Sequence, residues 1–140
     1  MSAKMNSIQL RLLKHLLSRS YRNSPSKRAI FDIANMKEFE KKVKGSKLPV
    51  LVDFHASWCT PCKALTPRLA NIISEQRGRL RMARVDIDEF TDLALDYNVG
   101  SVPSLLVMHN GKVLNRLVGL QTSEYIRNWL AKVIKNCSPN

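Results

Sequence analysis

The chain has 140 residues and a mass of 15.9 kDa, with 44% apolar and 24% charged residues, which fits one compact domain with a short extension. A domain of this size can bury a core without disulfide support, and only five glycines and six prolines exclude a collagen-like or low-complexity chain. No apolar run approaches the roughly 18 to 20 residues of a membrane-spanning helix, which excludes a protein anchored in that way.

The net charge of +12 is concentrated at the amino terminus. Residues 1–28 contain seven basic residues and no acidic residue, whereas the rest of the chain holds 16 basic and 11 acidic residues, a net charge of +5. On a helical projection of this leader, Ile8 and the leucines fall on one side, opposite Arg11, Lys14 and Arg22.

A cationic amphipathic helix free of acidic residues is typical of a mitochondrial transit peptide. We therefore predict a transit peptide over residues 1–28, removed between Tyr21 and Phe31, and a mature domain over residues 29–140. A basic arm that touches RNA or lipid is the alternative. A secretory signal fits poorly, because Arg11 and Lys14 interrupt the apolar run that it requires.

From Ala29 onward, short apolar segments typical of strands alternate with amphipathic segments typical of helices. The predicted elements are a strand over residues 29–33, a helix over 36–44 ended by Gly45, a strand over 49–55, a helix over 59–77, a strand over 80–87, a short helix over 91–97, strands over 104–109 and 112–118, and a helix from Ser123 with Thr122 as N-cap. This order predicts an α/β fold in which a central mixed sheet is flanked by helices on both faces.

Three local features refine this prediction. Residues 49–55 are nearly continuously apolar, as in a strand covered on both faces, so this strand should be central. Pro67 should kink its helix, since it lacks an amide donor and crowds the preceding turn. The pair Asn110-Gly111 predicts a tight hairpin between the last two strands.

Two of the three cysteines form the motif Cys59-Thr60-Pro61-Cys62, where the predicted central strand gives way to a helix. Three cysteines cannot make a secreted disulfide framework, and in a reducing compartment such a pair is typically catalytic or metal-binding. The free amides and the dipole of a helix N-terminus stabilise a thiolate, so Cys59 is the expected nucleophile. Cys62 follows one helical turn later on the same face and is the expected resolving thiol.

Metal and haem sites fit this motif poorly. A zinc site needs four ligands, and beyond the pair only Cys137, His55 and His109 remain, so no metal is expected. Haem attachment requires histidine at position 63, where the chain has Lys63.

Cys137 is expected to be an exposed bystander, with an intermolecular disulfide as the alternative. His55 is expected to serve packing rather than to tune the site.

At these residues the chain resembles the thioredoxin family, over about residues 29–136. The segment VDFHASWCTPCK (residues 52–63) is similar to the family's active-site strand and loop, residues 101–104 to its cis-proline loop, and Val118-Gly119 to the glycine beside its groove. The features most similar to the mitochondrial branch of the family are the cationic leader, His55 and residues 85–99.

The resemblance implies a thioredoxin fold and a protein disulfide reductase that binds no cofactor itself. Its disulfide would be re-reduced by thioredoxin reductase with NADPH, in the mitochondrial matrix. Implied clients are disulfide-containing proteins such as peroxiredoxins and methionine sulfoxide reductases. Neither nucleic acid nor a stable membrane association is expected.

The resemblance also implies a proton acceptor. Asp53 matches the family's buried acid, and a desolvated carboxylate with a raised pKa can take the proton from Cys62. Arg84 stands where the family commonly has lysine, and its charge would lower the pKa of Asp53 again. The alternative is a polar residue at a strand end, paired with a base.

The remaining implied residues bind substrate. Pro103 matches the family's cis proline, and the backbone of Val102 would pair with an extended substrate segment. Trp58, Pro61 and Gly119 would complete a shallow groove, although core packing is an alternative for Trp58. Thr60 replaces the usual glycine of the motif, and we expect a modest effect on redox potential or substrate choice.

Two other functions stay open at this point. One is a disulfide oxidase or isomerase of a secretory compartment with the same fold, against which the leader argues. The other is a basic nucleic-acid- or metal-binding module, for which the domain lacks both a basic stripe with interleaved aromatics and sufficient ligands.

Overall fold

The structure is a computed structural model and describes residues 6–11 and 29–137. Residues 7–11 are helical, with Ile8 and Leu10 exposed. Most of the predicted transit peptide, residues 1–5 and 12–28, lies outside the described residues, so that assignment stays a prediction. None of the helices in the described part of the chain combines the length and apolar character needed to cross a bilayer.

Residues 29–137 form five strands and four α-helices in the predicted order. The elements are β1 (Ile30–Asp32), α1 (Met36–Phe39) with a π-helical continuation (Glu40–Lys44), β2 (Val50–His55), α2 (Thr60–Glu75), β3 (Arg81–Asp86), α3 (Thr91–Asp96), β4 (Ser104–His109), β5 (Lys112–Val118) and α4 (Ser123–Ile134). The bounds of β4 and β5 are those predicted, and the other elements agree within two residues at each end.

The strands form one mixed sheet in the order β1-β3-β2-β4-β5. The strands β1, β3 and β2 run parallel, whereas β4 is antiparallel to both β2 and β5. The prediction that β2 is central is therefore confirmed, and five of its six residues are buried. The carboxyl ends of β1, β3 and β2 meet at one edge of the sheet, next to the start of β4.

Alternate side chains of the sheet enter two separate apolar clusters, which confirms helices on both faces. The first cluster joins Leu51, Met82 and Leu105 of the sheet to buried residues of α2 and α4. The second joins Val52, Phe54 and Leu106 to α1, its π-helical continuation and α3. The helix α2 leads out of the carboxyl end of β2, so its N-terminus lies at the centre of the sheet edge.

Local signals in the sequence explain several turns. Asn110 and Gly111 adopt φ values of 53° and 75°, the left-handed pair expected for a tight hairpin between β4 and β5. At Gly45 a Cβ atom would lie 2.8 Å from the carbonyl oxygen of Lys41, so glycine fits this helix end where larger residues crowd. The helix α2 is continuous through Pro67, and the kink expected there stays a prediction.

Thr122 caps the last helix as predicted, since its hydroxyl accepts a hydrogen bond from the Tyr125 amide at 3.2 Å. Replacing Thr122 with alanine should lower the free energy of unfolding by about 1 kcal/mol, because an amide of the first turn loses its partner. Thr122→Ser retains the hydroxyl and should stay near wild type. Urea unfolding measures both variants, and equal stability of the alanine and serine variants would contradict a contribution from this cap.

Candidate active site

The motif Cys59-Thr60-Pro61-Cys62 lies at the N-terminus of α2. Cys59 is the N-cap in extended conformation, and its sulfur accepts a hydrogen bond from the Cys62 amide at 3.2 Å. The two cysteines form a disulfide with their Cα atoms 5.3 Å apart. The structure thus brings together the two predicted cysteines and places Cys59 where free helix amides stabilise a thiolate after reduction.

Backbone hydrogen bonds hold this turn against the end of β2. The Cys59 amide donates to the Ala56 carbonyl at 3.2 Å, and the Lys63 amide donates to the Cys59 carbonyl at 3.3 Å. Ala56, Cys59 and Cys62 form a small buried cluster with the partly buried Ile87 and Val102 packed against it. The two sulfurs therefore sit in a fixed, mostly apolar setting.

The loop before β4 lies beside the cysteines. The Val102–Pro103 peptide bond is cis, as the resemblance implied. The Gly119 amide donates to the Pro103 carbonyl at 2.9 Å, which ties this loop to the end of β5. Gly119 has a φ of 90°, a left-handed conformation that disfavours side chains. The predicted groove residues Val102, Pro103 and Gly119 thus meet at one edge of the sheet.

Trp58 and Thr60 present the exposed side of the motif. The Trp58 side chain is 66% exposed, so core packing is the wrong interpretation of this residue. Its indole N–H donates to Asp88 Oδ2 at 2.9 Å, and the Asp88 amide in turn donates to Asp86 Oδ1 at 2.9 Å. Asp88 orients Trp58, a role that the sequence did not indicate.

Asp53 lies on β2 with 3% of its surface exposed. Burial raises the pKa of this carboxyl to about 6, while the nearby Arg84 guanidinium acts in the opposite direction. The Arg84 Nε atom is 3.7 Å from Asp53 Oδ2, and Asp53 Oδ1 has no hydrogen-bond partner. The competition anticipated between burial and Arg84 is thus decided in favour of burial. Asp53 can therefore hold or release a proton near neutral pH.

The two histidines considered as ligands lie at different ends of the sheet. His55 ends β2 opposite Asp86, and burial lowers the pKa of its imidazole, with the Arg84 charge adding to the effect. His109 ends β4, is buried, and contacts the Lys47 carbonyl through Nε2 at 3.1 Å. Among the described residues, no group of three or more histidine, cysteine or acidic side chains is placed to hold a metal ion.

Cys137 differs from its prediction. It lies beyond the end of α4, but it is half-buried rather than exposed, with its sulfur 3.9 Å from the Val133 carbonyl oxygen. Burial raises the pKa of this thiol, which disfavours the reactive thiolate. Cys137 lines a pocket together with His109 of β4 and Leu114 of β5.

Comparison with known proteins agrees with this geometry. The family model described as "Thioredoxin" matches residues 31–132. "Thioredoxin, mitochondrial" of Bos taurus is 46% identical over 104 residues, which cover 74% of this chain and 63% of that protein. "Probable thioredoxin-2" of Caenorhabditis elegans is 35% identical over 106 residues, covering 76% of this chain and 73% of that protein.

A solved structure, that of a mutant thioredoxin from Halobacterium salinarum NRC-1, superposes with a TM-score of 0.69 at 27% identity, covering 79% of this chain and 93% of that chain. The match to the mitochondrial relatives of Bos taurus, Mus musculus and Rattus norvegicus spans only 63% of their length. The family model and the fold nevertheless extend over most of this chain, from β1 to α4. The family model matches residues 31–132, which include the disulfide at the N-terminus of α2, the cis proline in the loop beside it and the buried aspartate on the central strand, and the chain belongs to the thioredoxin family.

Proposed function

We propose that this protein is a protein disulfide reductase that works by dithiol–disulfide exchange. The observation that carries the proposal is the position of Cys59 at the N-cap of α2. Its sulfur accepts a hydrogen bond from the Cys62 amide and forms a disulfide with the Cys62 sulfur. A sulfur in this position is stabilised as a thiolate, and the thiolate is the nucleophile in exchange reactions. The electrons that are transferred are thus held by the protein's own cysteines.

Each cycle transfers two electrons from the cysteines to the client. The Cys59 thiolate attacks one sulfur of a client disulfide, forming a mixed disulfide and releasing one client thiolate. Cys62 then loses its proton and attacks the Cys59 sulfur, which forms the Cys59–Cys62 disulfide and releases the second client thiolate. The client gains two electrons, which the two cysteines lose. Its two thiolates take up two protons, of which one balances the proton lost by Cys62 and the other comes from water.

Asp53 is the proton acceptor in this scheme. The resolving step requires Cys62 to lose its proton, and a carboxyl with a pKa of about 6 is a better base than an ordinary aspartate. Asp53 lies on β2 two residues before its end, and Cys59 follows the end of β2 four residues later. Asp53 is buried and lies on the same face of the sheet as Leu51, which packs against α2, so a transfer inside the protein on the face covered by α2 is supported.

The client binds across the edge of the sheet. Its extended segment would pair with the backbone of Val102, next to the cis Pro103, and lie over the exposed Trp58. Thr60, Pro61 and Gly119 would form the rest of the contact surface.

The proposal extends to partners and location. Thioredoxin reductase with NADPH would restore the dithiol, and clients would include peroxiredoxins and methionine sulfoxide reductases. A Mycobacterium leprae protein named "Bifunctional thioredoxin reductase/thioredoxin" is 38% identical over 98 residues, covering 70% of this chain and 21% of that protein, which supports the reductase as partner. The mitochondrial relatives and the cationic leader support a mitochondrial location, and we place the mature domain, residues 29–140, in the matrix.

Insulin reduction tests this function. The full chain with thioredoxin reductase and NADPH should precipitate insulin B chain and consume one NADPH per disulfide reduced. Omitting the reductase while supplying dithiothreitol separates the exchange chemistry from the choice of partner. A folded chain that does not accelerate insulin reduction by dithiothreitol would contradict the proposed reaction, whereas failure with the reductase alone would contradict only that partner.

A further inference from the structure

Three charged side chains form a row across the parallel strands. The register pairs Asp32 of β1 with Arg84 of β3, and Arg84 with Asp53 of β2. Arg84 Nη1 lies 3.5 Å from Asp32 Oδ1, and Arg84 Nε lies 3.7 Å from Asp53 Oδ2. The row runs from β1, the outermost strand on this side of the sheet, where the Asp32 side chain is 75% exposed, to the central strand β2, where the Asp53 side chain is 4% exposed.

The guanidinium of Arg84 is shared rather than committed to Asp53. Both separations exceed the roughly 2.9 to 3.0 Å that is usual for an N–H···O hydrogen bond. Arg84 Nε and Asp53 Oδ1 are buried and have no hydrogen-bond partner. An arginine beside a single carboxylate usually closes onto it through two parallel hydrogen bonds. In this structure a second carboxylate, that of Asp32, lies on the opposite side of Arg84.

Few other charges face Asp53 in the described part of the chain. His55 ends the same strand, and Asp86 lies opposite His55 on β3. The strand β4 places the apolar Leu105 opposite Asp53, and the buried residues of α2 are Cys62 and aliphatic side chains. Arg84 is thus the cation of this group, and its position determines how well the ionised form of Asp53 is stabilised.

We propose that Asp32 is a positioning residue that holds Arg84 between two carboxylates and keeps it from pairing fully with Asp53. Asp53 is thereby kept in a state that can accept a proton during the exchange reaction, a consequence that rests on the proposed function. Without the charge of Asp32, Arg84 can close onto Asp53 and satisfy both unpartnered atoms. The buried carboxylate is then better stabilised and becomes a weaker base.

Titration of the Asp53 carboxyl carbon by NMR in the oxidised full chain tests this proposal. Asp32→Asn should lower the pKa of Asp53 by about one unit, at the lower end of the effect of a close opposite charge. Asp96→Asn neutralises another exposed carboxylate, at the end of α3, and should leave the titration unchanged. Asp32 is exposed, so the fold is not at risk, and an unchanged midpoint in Asp32→Asn would overturn the proposal.

A second arm shows whether Asp32 acts through Arg84. In an Arg84→Gln background only the direct repulsion between the two carboxylates is left, the smallest of the effects on the pKa of Asp53, so Asp32→Asn should move the Asp53 midpoint by less than about 0.3 unit. An equal shift in both backgrounds would show direct repulsion between the carboxylates and overturn the positioning role. Asp32→Glu keeps the negative charge, so Asp53 in this variant should titrate with the wild-type midpoint. The titration does not depend on enzymatic activity. If Asp53→Asn reduces insulin as fast as wild type, the proton-acceptor role of Asp53 is contradicted, but the titration still shows whether Asp32 controls the pKa of Asp53 through Arg84.

Discussion

Cys59→Ser should abolish insulin reduction, whereas Cys62→Ser should stop the reaction at a mixed disulfide. Serine at position 59 supplies no thiolate, so the exchange rate should fall on the order of a thousandfold or more, as in other enzymes that lose a nucleophile. Serine at position 62 leaves the nucleophile intact at the N-terminus of α2 and removes only the group that displaces the client. The two variants are therefore both inactive in turnover but differ in what they retain.

The measurement is trapping of insulin under non-reducing conditions, followed by mass spectrometry of the joined peptides. Cys62→Ser should carry the client at Cys59, and Cys59→Ser should carry little or none. Cys137→Ser is the matched control, because it makes the same substitution at a half-buried thiol after α4 and should retain full activity. Capture at Cys62 in the Cys59→Ser variant at the same rate would reverse the assigned roles.

The site could be predicted from sequence where its residues are neighbours in the chain. The pair Cys59 and Cys62 needs only a strand, a turn and a helix, and each has a local signal: a continuously apolar run, Pro61 in the first turn and apolar helical spacing. The hairpin at Asn110-Gly111 and the cap at Thr122 are local in the same way. These features were therefore predicted with their correct positions.

Contacts between distant segments could not be predicted in this way. Asp32 and Asp53 flank Arg84 only because β3 lies between β1 and β2, and no local pattern gives that strand order. The bond from Trp58 to Asp88 depends on the same arrangement, since Asp88 follows the end of β3. The direction of the Asp53 pKa depended on two opposed effects whose sizes require the burial and the 3.7 Å separation from Arg84.

Asp53 should also make the stability of the protein depend on pH. Its pKa is about 6 in the folded state against an ordinary value of 3.8, so the folded protein binds the proton more tightly than the unfolded chain. Well below pH 3.8 the carboxyl is protonated in both states and causes no loss. Between pH 3.8 and about 6 the unfolded chain releases this proton while the folded protein still holds it, so the loss grows, and above about pH 6 the folded state buries an ionised carboxylate and the loss levels off at about 3 kcal/mol.

Asp53→Asn should therefore raise the free energy of unfolding by about 2 kcal/mol at pH 8 and by almost nothing at pH 4. Asparagine resembles the protonated aspartic acid in shape and carries no charge, and the expected gain is below the full 3 kcal/mol because Arg84 loses an anionic partner. The same change should slow insulin reduction about tenfold at pH 7. This loss is smaller than the roughly hundredfold or larger loss typical when a general base is removed, because water can also accept the Cys62 proton. Stability and activity should thus move in opposite directions.

Urea unfolding of wild type and Asp53→Asn at pH 4 and pH 8 measures the stability difference, with Asp96→Asn as the control for net charge. If Asp53→Asn and wild type differ in free energy of unfolding by the same amount at both pH values, the Asp53 carboxyl titrates alike in the folded and unfolded chain. A gap that opens with pH while insulin reduction is unaffected would separate the two roles, because it would leave Asp53 as a buried charge with no part in the proton transfer. Two results together support the role of Asp53 as proton acceptor for Cys62: Asp53→Asn gains stability as the pH rises, and it slows the resolving step. The buried carboxylate then costs stability and is retained for the chemistry of Cys62.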